Sequence, residues 1–436
     1  MSPTFSSLSI RNYRIYAAGS LVSNTGTWMG RVAQDWLVLT QLTNHSSTAL
    51  GAVTGLQFLP FLLLAPVTGM IADRFSKRRI LLITQSFLAL SALLLAVLVL
   101  TGTVTLWHVY VLAFLQGIAT AVDNPARQTF VSEMVPRESL NNAVSLNSAS
   151  FNAGRLVGPG VAGLVIAAFG TGLALLLNGL SFFFVLASLL LMRVRELTPS
   201  ARSRGKGQIR EGVAYVRSRP DIMLVMALVF VLGTFGMNFQ ITMALMATRE
   251  FHKGPMEYGV LGSIMAVGSL SAALLSARRN NPRLRVLLIA LIGFAISSAL
   301  AAIAPTYLFF ALALVPVGLS ALTALTTANA MVQLSVDAAM RGRVMALYMA
   351  IFLGGAPLGS PLIGWLGDVA GARWTIGVGS LAVGLSLVGV ALFLRRRNTV
   401  RVSYEPRRRP RLLVTVAPPG GSVPEPAREP LPEAVR

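Results

Sequence analysis

Long apolar runs alternate with short polar segments along almost the whole chain. About 20 apolar residues suffice for a helix to cross a bilayer, and the runs lack the period-two alternation of membrane barrel strands. The pattern predicts an all-α membrane protein with twelve transmembrane helices. The runs lie near residues 14–41, 50–72, 80–101, 106–124, 141–169 and 172–192, and near 221–248, 257–277, 284–304, 306–328, 342–369 and 374–394.

One long polar segment divides these runs into two sets of six. We predict a six-helix bundle over 1–192, a cytoplasmic linker with an amphipathic helix over 193–220, and a second six-helix bundle over 221–398. The remainder, 399–436, is basic and rich in proline, which predicts a disordered cytoplasmic tail. The first apolar run follows Arg11 and Arg14 but lacks a small-residue cleavage site, so we expect it to be a retained span rather than a signal peptide.

Composition supports lipid as the surrounding medium. Only 12% of residues are charged, about half the share typical of soluble domains. The net charge of +21 could suggest a nucleic-acid partner, but the basic residues lie between apolar runs, not in stripes interleaved with aromatic residues. We therefore expect no nucleic-acid partner. The absence of cysteine excludes disulfides, thiol chemistry and cysteine metal sites.

The basic residues predict the orientation. Of 37 lysines and arginines, 32 lie in alternate segments that would all face the same side, whereas the opposite loops hold only Arg249, Lys253 and Arg373. Positively charged loops stay in the cytoplasm. The sequence therefore predicts a multi-pass protein of the inner (plasma) membrane with both termini cytoplasmic.

The two halves also resemble each other in sequence. A shift of 201 residues brings three glycines of the fifth predicted span onto three glycines of the eleventh: Gly154, Gly158 and Gly163 onto Gly355, Gly359 and Gly364. This predicts two pseudo-symmetric bundles that arose from a duplicated unit.

The loop after the second predicted span reads GMIADRFSKRR from Gly69 to Arg79. It resembles the loop signature of the major facilitator superfamily, G-x-x-x-D-R-x-G-R-R/K, with Ser76 in place of a glycine. The resemblance implies the major facilitator fold and a cytoplasmic gate. In that gate Gly69 allows close helix packing, and Asp73 faces the positive end of a helix in the other half. The remaining members are Arg74 and Lys77, for which Asp123 is the candidate partner. The alternative is a basic loop that only signals the topology and forms no gate.

The fifth predicted span reads GRLVGPGVAG from Gly154 to Gly163. It resembles G-x-x-x-G-P-x-x-G-G, which in this superfamily is associated with exporters; Ala162 replaces one glycine. Small residues four apart favour close helix packing, and Pro159 bends the helix. A general packing face is the alternative. Most of the membrane portion also resembles the transmembrane secretion effector branch, which includes the enterobactin exporter. An arginine common in the fourth span of proton antiporters is Ala113 here.

Ionisable residues within spans are the candidate transport site. An ionised side chain at membrane depth costs about 2.5–3.5 kcal/mol, so it should face a cavity or a partner. We expect five residues to line a central cavity, with Asp35 as the proton-titrating group: Arg31, Gln34, Asp35, Asn152 and Arg155. A structural ion pair of Asp35 with either arginine is the alternative.

These features together favour a secondary transporter that exports a small molecule (a drug, siderophore or other metabolite) by alternating access, as a proton antiporter. The sequence has no phosphate-binding loop, no catalytic residues in the spans, no metal site and no expected cofactor. It is therefore not predicted to be an enzyme. The expected partners are the bilayer, the substrate and protons, and we expect a monomer. The alternatives are an importer or uniporter of the same superfamily, and a scaffold that transports nothing.

Overall fold

The computed structural model describes residues 3–198, 208–277, 283–337, 340–396, 400–405 and 411–416. Helices occupy nearly all of these ranges. They are α1 (Arg11–Leu37), α2 (Ser47–Arg74), α3 (Lys77–Leu100), α4 (Leu106–Met134), α5 (Arg137–Leu190), α6 (Gln208–Ser218), α7 (Pro220–Val231), α8 (Phe239–Leu245), α9 (Pro255–Ala277), α10 (Leu284–Ala302), α11 (Tyr307–Ser335), α12 (Arg341–Val369) and α13 (Ala372–Arg396).

These helices make twelve crossings, which confirms the predicted fold. Ten helical segments in the described ranges are long and apolar enough to cross a membrane. A further crossing is α1, whose hydropathy is lowered by buried polar residues. The other lies in α5, where Gly170 has φ 84° and ψ 171°. A straight helix of 54 residues would be about 80 Å long, and the turn at Gly170 divides it into two crossings.

The surface of the helices is apolar over a large area. Ile83, Leu90 and Leu308 expose 71%, 66% and 66% of their surface. Apolar patches of this extent are unfavourable in water and match the hydrocarbon of a bilayer. The molecule is accordingly a multi-pass membrane protein.

Two ends of the bundle are distinguished by their loops. We call the end with residues 75–76, 135–136 and 191–198 the linker end, and the end with residues 43–46, 101–105, 251–254 and 370–371 the far end. Side-chain oxygens cap the N-termini of helices at the far end. Ser46 Oγ accepts from Ala49 N at 3.2 Å in α2, and Thr306 Oγ1 accepts from Phe309 N at 3.3 Å in α11. Such caps satisfy amide groups that would otherwise lack partners.

The seventh span is interrupted rather than continuous. A π-helical turn at Leu232–Gly236 follows α7, and another at Met246–Glu250 follows α8. The break between them is held by Asn238, whose Nδ2 donates to Thr234 O at 2.7 Å and whose Oδ1 accepts from Ser360 Oγ at 2.8 Å. π-helical turns inside α-helices often occur at functional sites.

The 201-residue repeat has a structural counterpart in how its glycines pack. Gly154 and Gly158 lie against α1, the first helix of their own half; a Cβ atom on Gly158 would lie 2.6 Å from Cβ of Trp28. Gly355 and Gly359 lie in the same way against the π-helical turn that follows α7. Equivalent glycines therefore bring the first and fifth spans of each half together.

The linker and the tail are described in part. Helix α6 lies where the sequence predicts an amphipathic linker helix, and residues 199–207 lie outside the described residues. In the tail, strand β1 (Val400–Glu405) pairs antiparallel with β2 (Arg411–Val416). These two segments differ from the predicted disorder, because both are rich in β-branched residues that favour strands. The rest of 399–436 lies outside the described residues.

Candidate transport site

The two halves meet at two equivalent helix pairs. Gly163 on α5 packs on the start of α9, where a Cβ atom would lie 2.7 Å from Pro255 O. Its counterpart Gly364 on α12 packs on the start of α2, against the Ser47 carbonyl and Gly51. Both pairs lie at the far end. The third glycine of each repeat thus joins the halves, whereas the first two act within one half.

These contacts continue inward from the far end to about mid-depth. Along α5 and α9, Gly259 and Gly262 lie against Pro159, and a Cβ on Gly262 would lie 2.9 Å from Pro159 Cβ. Further in, Ser263 Oγ donates to the Leu156 carbonyl at 2.6 Å. We call the two helix pairs together the far-end seam.

An acid on α12 caps α2 across the seam. Asp368 Oδ1 accepts from Ser47 N at 2.9 Å and from Ser47 Oγ at 2.8 Å. Its Oδ2 accepts from Thr48 N at 2.8 Å and from Ser46 Oγ at 3.1 Å. On its own half, Asp368 pairs with Arg249 at 2.9 Å. A carboxylate at a helix N-terminus satisfies free amides and interacts favourably with the helix dipole.

Asp35 lies buried in the seam. Its Oδ2 accepts from Tyr258 Oη of α9 at 3.0 Å, and Asp35 is only 5% exposed. The ring of Tyr258 also stacks on Trp36, with centroids 6.2 Å apart. Within the described residues, no direct ion pair joins Asp35 to either arginine of the site, although the charge of Arg31, one turn away on α1, acts on this carboxyl. The carboxyl is instead held between the halves by a neutral donor.

The two arginines share one aromatic ring. The guanidinium carbon of Arg31 lies 5.0 Å from the ring centroid of Trp28, and that of Arg155 lies 5.7 Å from it. Trp28 and Phe151 meet edge to face at 5.9 Å. Helix α1 therefore presents Trp28 and Arg31 one turn apart, facing Arg155 on α5. We call Trp28, Arg31 and Arg155 the arginine–tryptophan cluster.

The remaining predicted cavity residues are placed on the same two helices. Gln34 on α1 is 7% exposed. Asn152 on α5 is half-buried, and its Nδ2 donates to Ser148 O at 2.9 Å within its own helix. Both lie one turn from an arginine of the cluster.

The expected pairing of Lys77 with Asp123 is wrong. Lys77 Nζ pairs with Glu133 at 2.7 Å, and both side chains are nearly buried. Asp123 instead pairs with Arg127 at 2.9 Å and accepts from Thr84 Oγ1 at 2.6 Å. The reason is depth: Lys77 begins α3 at the linker end, whereas Asp123 lies ten residues before Glu133 on α4, or about 15 Å further in.

The other members of the predicted gate are described only in part. Gly69 and Asp73 fall in α2, but their surroundings lie outside the described residues. Arg74 is exposed.

Twelve crossings in two repeated halves, with ionisable residues in the spans near the seam, define a transporter of the major facilitator class. The model of the transmembrane secretion effector family matches residues 2–423. The chain belongs to this family, as the two sequence motifs imply, and it is not an enzyme.

Similar proteins cover nearly the same length. The chain is 24% identical to the staphyloferrin A transporter of Staphylococcus aureus over 89% of this chain and 98% of that protein. It is 28% identical to the multidrug efflux pump Tap of Mycolicibacterium fortuitum over 89% and 96%. The solved structure of a POT family transporter shares the fold, with a TM-score of 0.71 and 12% identity over 88% of this chain and 96% of that one.

Several partners of the site residues do not follow from the sequence patterns. Tyr258 and Asp368 belong to the other half from the groups that they bind, and Trp28 is one of five tryptophans. Trp28 precedes Arg31 by three residues and so shares its helical face. That spacing is the one sequence signal that could have indicated the cluster.

Proposed function

We propose that this protein exports a small molecule from the cytoplasm by alternating access, in antiport with protons. The observation that carries the proposal is the Asp35–Tyr258 hydrogen bond, because it places a buried titratable group directly between the two halves. A change in the charge of Asp35 would alter the contact that must break when the far end opens. The names of similar proteins, among them an efflux pump, support the direction of export.

The far-end seam supports an inward-facing state. The described contacts between the halves run from the far end to about mid-depth. If the linker end is cytoplasmic, as the basic residues predict, this arrangement is closed to the outside. The site would then receive its substrate from the cytoplasm.

The linker end is proposed as the cytoplasmic gate. The Lys77–Glu133 pair and the Thr84–Asp123 hydrogen bond join α3 to α4 within one half. These contacts would make the first half move as a unit, so that the loop from Gly69 to Lys77 closes on the second half in the outward-facing state. If the loop serves only as a topology signal, neutralising its acid, Asp73, should have no effect on transport.

The coupling role is tested with Asp35→Asn. An asparagine oxygen still accepts the Tyr258 hydroxyl and the volume is nearly unchanged, so the fold should survive while titration is lost. In proteoliposomes with a pH-sensitive dye inside, addition of a transported compound should change the internal pH when the native protein is present. With the variant the internal pH should stay constant. Glu250→Gln is the matched control, because it neutralises a far-end acid paired with Arg373 inside one half. Unaltered proton movement with Asp35→Asn would refute the coupling role.

The substrate for that assay comes from a sensitivity profile. A strain that lacks the protein is compared with a strain that expresses it over a panel of drugs and siderophores, and hits are measured in inverted vesicles. Uptake into inverted vesicles supports export. Transport in the opposite direction alone would favour an importer.

The orientation is tested separately, because the chain contains no cysteine. Asn44→Cys at the far end and Ser218→Cys at the linker end each place one thiol at an exposed position. A membrane-impermeant maleimide should label the first in intact cells and the second only after lysis. The reverse pattern would invert the proposed topology.

A further inference from the structure

The arginine–tryptophan cluster holds more positive charge than its surroundings balance. Arg31 and Arg155 both lie on Trp28, and within the described residues neither forms an ion pair or a hydrogen bond. Both are half-buried. Two guanidinium groups near each other repel, so such a pair is costly unless an anion joins it.

Acidic residues at comparable depth are scarce along the whole chain. The acids in the spans of the second half lie at span ends: Asp221, Glu250, Glu257 and Asp368. In the first half, Asp123 is already paired with Arg127. This leaves Asp35, one turn from Arg31, which supplies at most one negative charge against the two positive charges of the cluster and also accepts a bond from Tyr258.

The cluster lies beside the contact between the halves. Ser263 of α9 donates to the carbonyl of Leu156, the residue next to Arg155. Gly158, one turn along α5, lies directly against Trp28. A ligand bound at the cluster would therefore lie next to a contact between the halves, where their relative movement would act on it, as alternating access requires of a substrate site.

The position of Trp28 also argues against a cationic ligand. A tryptophan ring in a cavity attracts cations through its face, but here two protein cations already lie within 6 Å of the centroid. Arginine forks match the geometry of a carboxylate or a similar acid group.

We propose that the arginine–tryptophan cluster is an anion subsite and that the transported molecule is an organic acid. Its acid group binds Arg31 and Arg155, and a planar or apolar part lies along Trp28. The proposal rests on the proposed transport function and adds the substrate class to it.

The test is equilibrium binding of a charge series to the purified full chain in zwitterionic lipid nanodiscs. Naphthoate, naphthamide and naphthylmethylammonium have the same ring and differ in charge. We expect naphthoate to bind at least about 10-fold more tightly than the other two, since an added charged contact is worth roughly that factor. Arg31→Gln and Arg155→Gln should each weaken naphthoate binding by about 10-fold and naphthamide binding by a smaller factor, so that the preference is lost.

Arg137→Gln is the matched control. It removes the same charge from an exposed position of α5, 18 residues from Arg155, or about 27 Å away, and should leave the preference intact. Arg31→Lys and Arg155→Lys keep the charge without the fork; if the glutamine variants do not fold, these should weaken naphthoate binding by a smaller factor. Monodisperse elution and a native thermal transition establish that each variant is folded.

Equal affinity for the three probes, or a preference unaffected by either arginine, would overturn the proposal. Loss of naphthoate binding in nanodiscs that contain phosphatidylglycerol would assign the subsite to lipid phosphate and would also overturn it. Transport is measured independently in inverted vesicles. If the vesicles transport compounds without charge selectivity, only the proposed substrate class is refuted. If binding is charge-selective but no transport occurs, the proposed function is refuted and the anion subsite stands.

Discussion

Asp368→Asn should weaken closure of the far end. The native carboxylate accepts four hydrogen bonds from Ser46, Ser47 and Thr48 across the seam. Asparagine keeps one oxygen but turns an amide NH₂ toward donors. In the outward-facing state of the proposed cycle these contacts would be broken, so the substitution should act on one state only.

The size of the effect follows from the contacts that are lost. A hydrogen bond to a charged group contributes about 1.5–3 kcal/mol when buried, and a helix N-cap about 1 kcal/mol. The side chain of Asp368 is 26% exposed, which reduces the electrostatic part. We expect a net loss of about 1–2 kcal/mol, which shifts the ratio of closed to open far ends by about 5- to 30-fold.

Spin labels at Asn44→Cys and Ala370→Cys report this ratio. Both positions are exposed at the far end and belong to different halves. Double electron–electron resonance should show a smaller short-distance population when Asp368→Asn is added. Glu250→Gln, whose ion pair lies within one half, should leave the distribution unchanged. If the two substitutions change the distribution equally, the cap across the seam is not what holds the far end closed.

Two further predictions concern stability. Lys77→Met should destabilise the purified protein by about 1.5–3 kcal/mol, because it removes the charged hydrogen bond between Lys77 and the nearly buried Glu133; Lys77→Met with Glu133→Leu should recover more than half of the loss in melting temperature. Gly158→Val should cost about 1–3 kcal/mol by overpacking against α1, measured by thermal unfolding. Gly342→Ala, which would meet nothing within 4 Å, should cause no loss. A stable Gly158→Val variant would contradict the packing described here.

Much of the fold could be predicted from the sequence, because lipid restricts the solutions. Every backbone amide in hydrocarbon must be satisfied, so a long apolar run is a helix, and twelve runs predict twelve crossings. The seventh run shows the limit. Its apolar residues continue past Asn238, but the helix breaks there, because the side chain of Asn238 bonds Thr234 and Ser360. Hydropathy does not record contacts of this kind.

The candidate site was predicted less completely, because its partners lie far apart in sequence. Asp35 and Arg31 stand out in the sequence as charges inside a span, and their four-residue spacing allows an ion pair as the alternative to cavity roles. Asp35 binds Tyr258, 223 residues away. Which partner each side chain contacts depends on its direction: Arg31 lies over Trp28, whereas Asp35 faces α9. Spacing along a helix indicates which residues share a face, but not which of two available partners each one takes.

The two helix pairs of the far-end seam are related by the repeat, but their polar contacts between the halves differ. Gly163 and Gly364 occupy matching positions, whereas Asp368 has no acidic counterpart, since residue 201 places earlier is Ala167. The α2–α12 pair therefore has an ionic cap that spans the halves, whereas beside the α5–α9 pair the buried Asp35 of α1 bonds Tyr258 of α9. The Asp368 cap is partly exposed at the far end, whereas the Asp35 carboxyl is buried between the halves. In the proposed mechanism, substrate and proton therefore act on the same movement beside the α5–α9 pair, because the arginine–tryptophan cluster and Asp35 both lie on that side of the bundle.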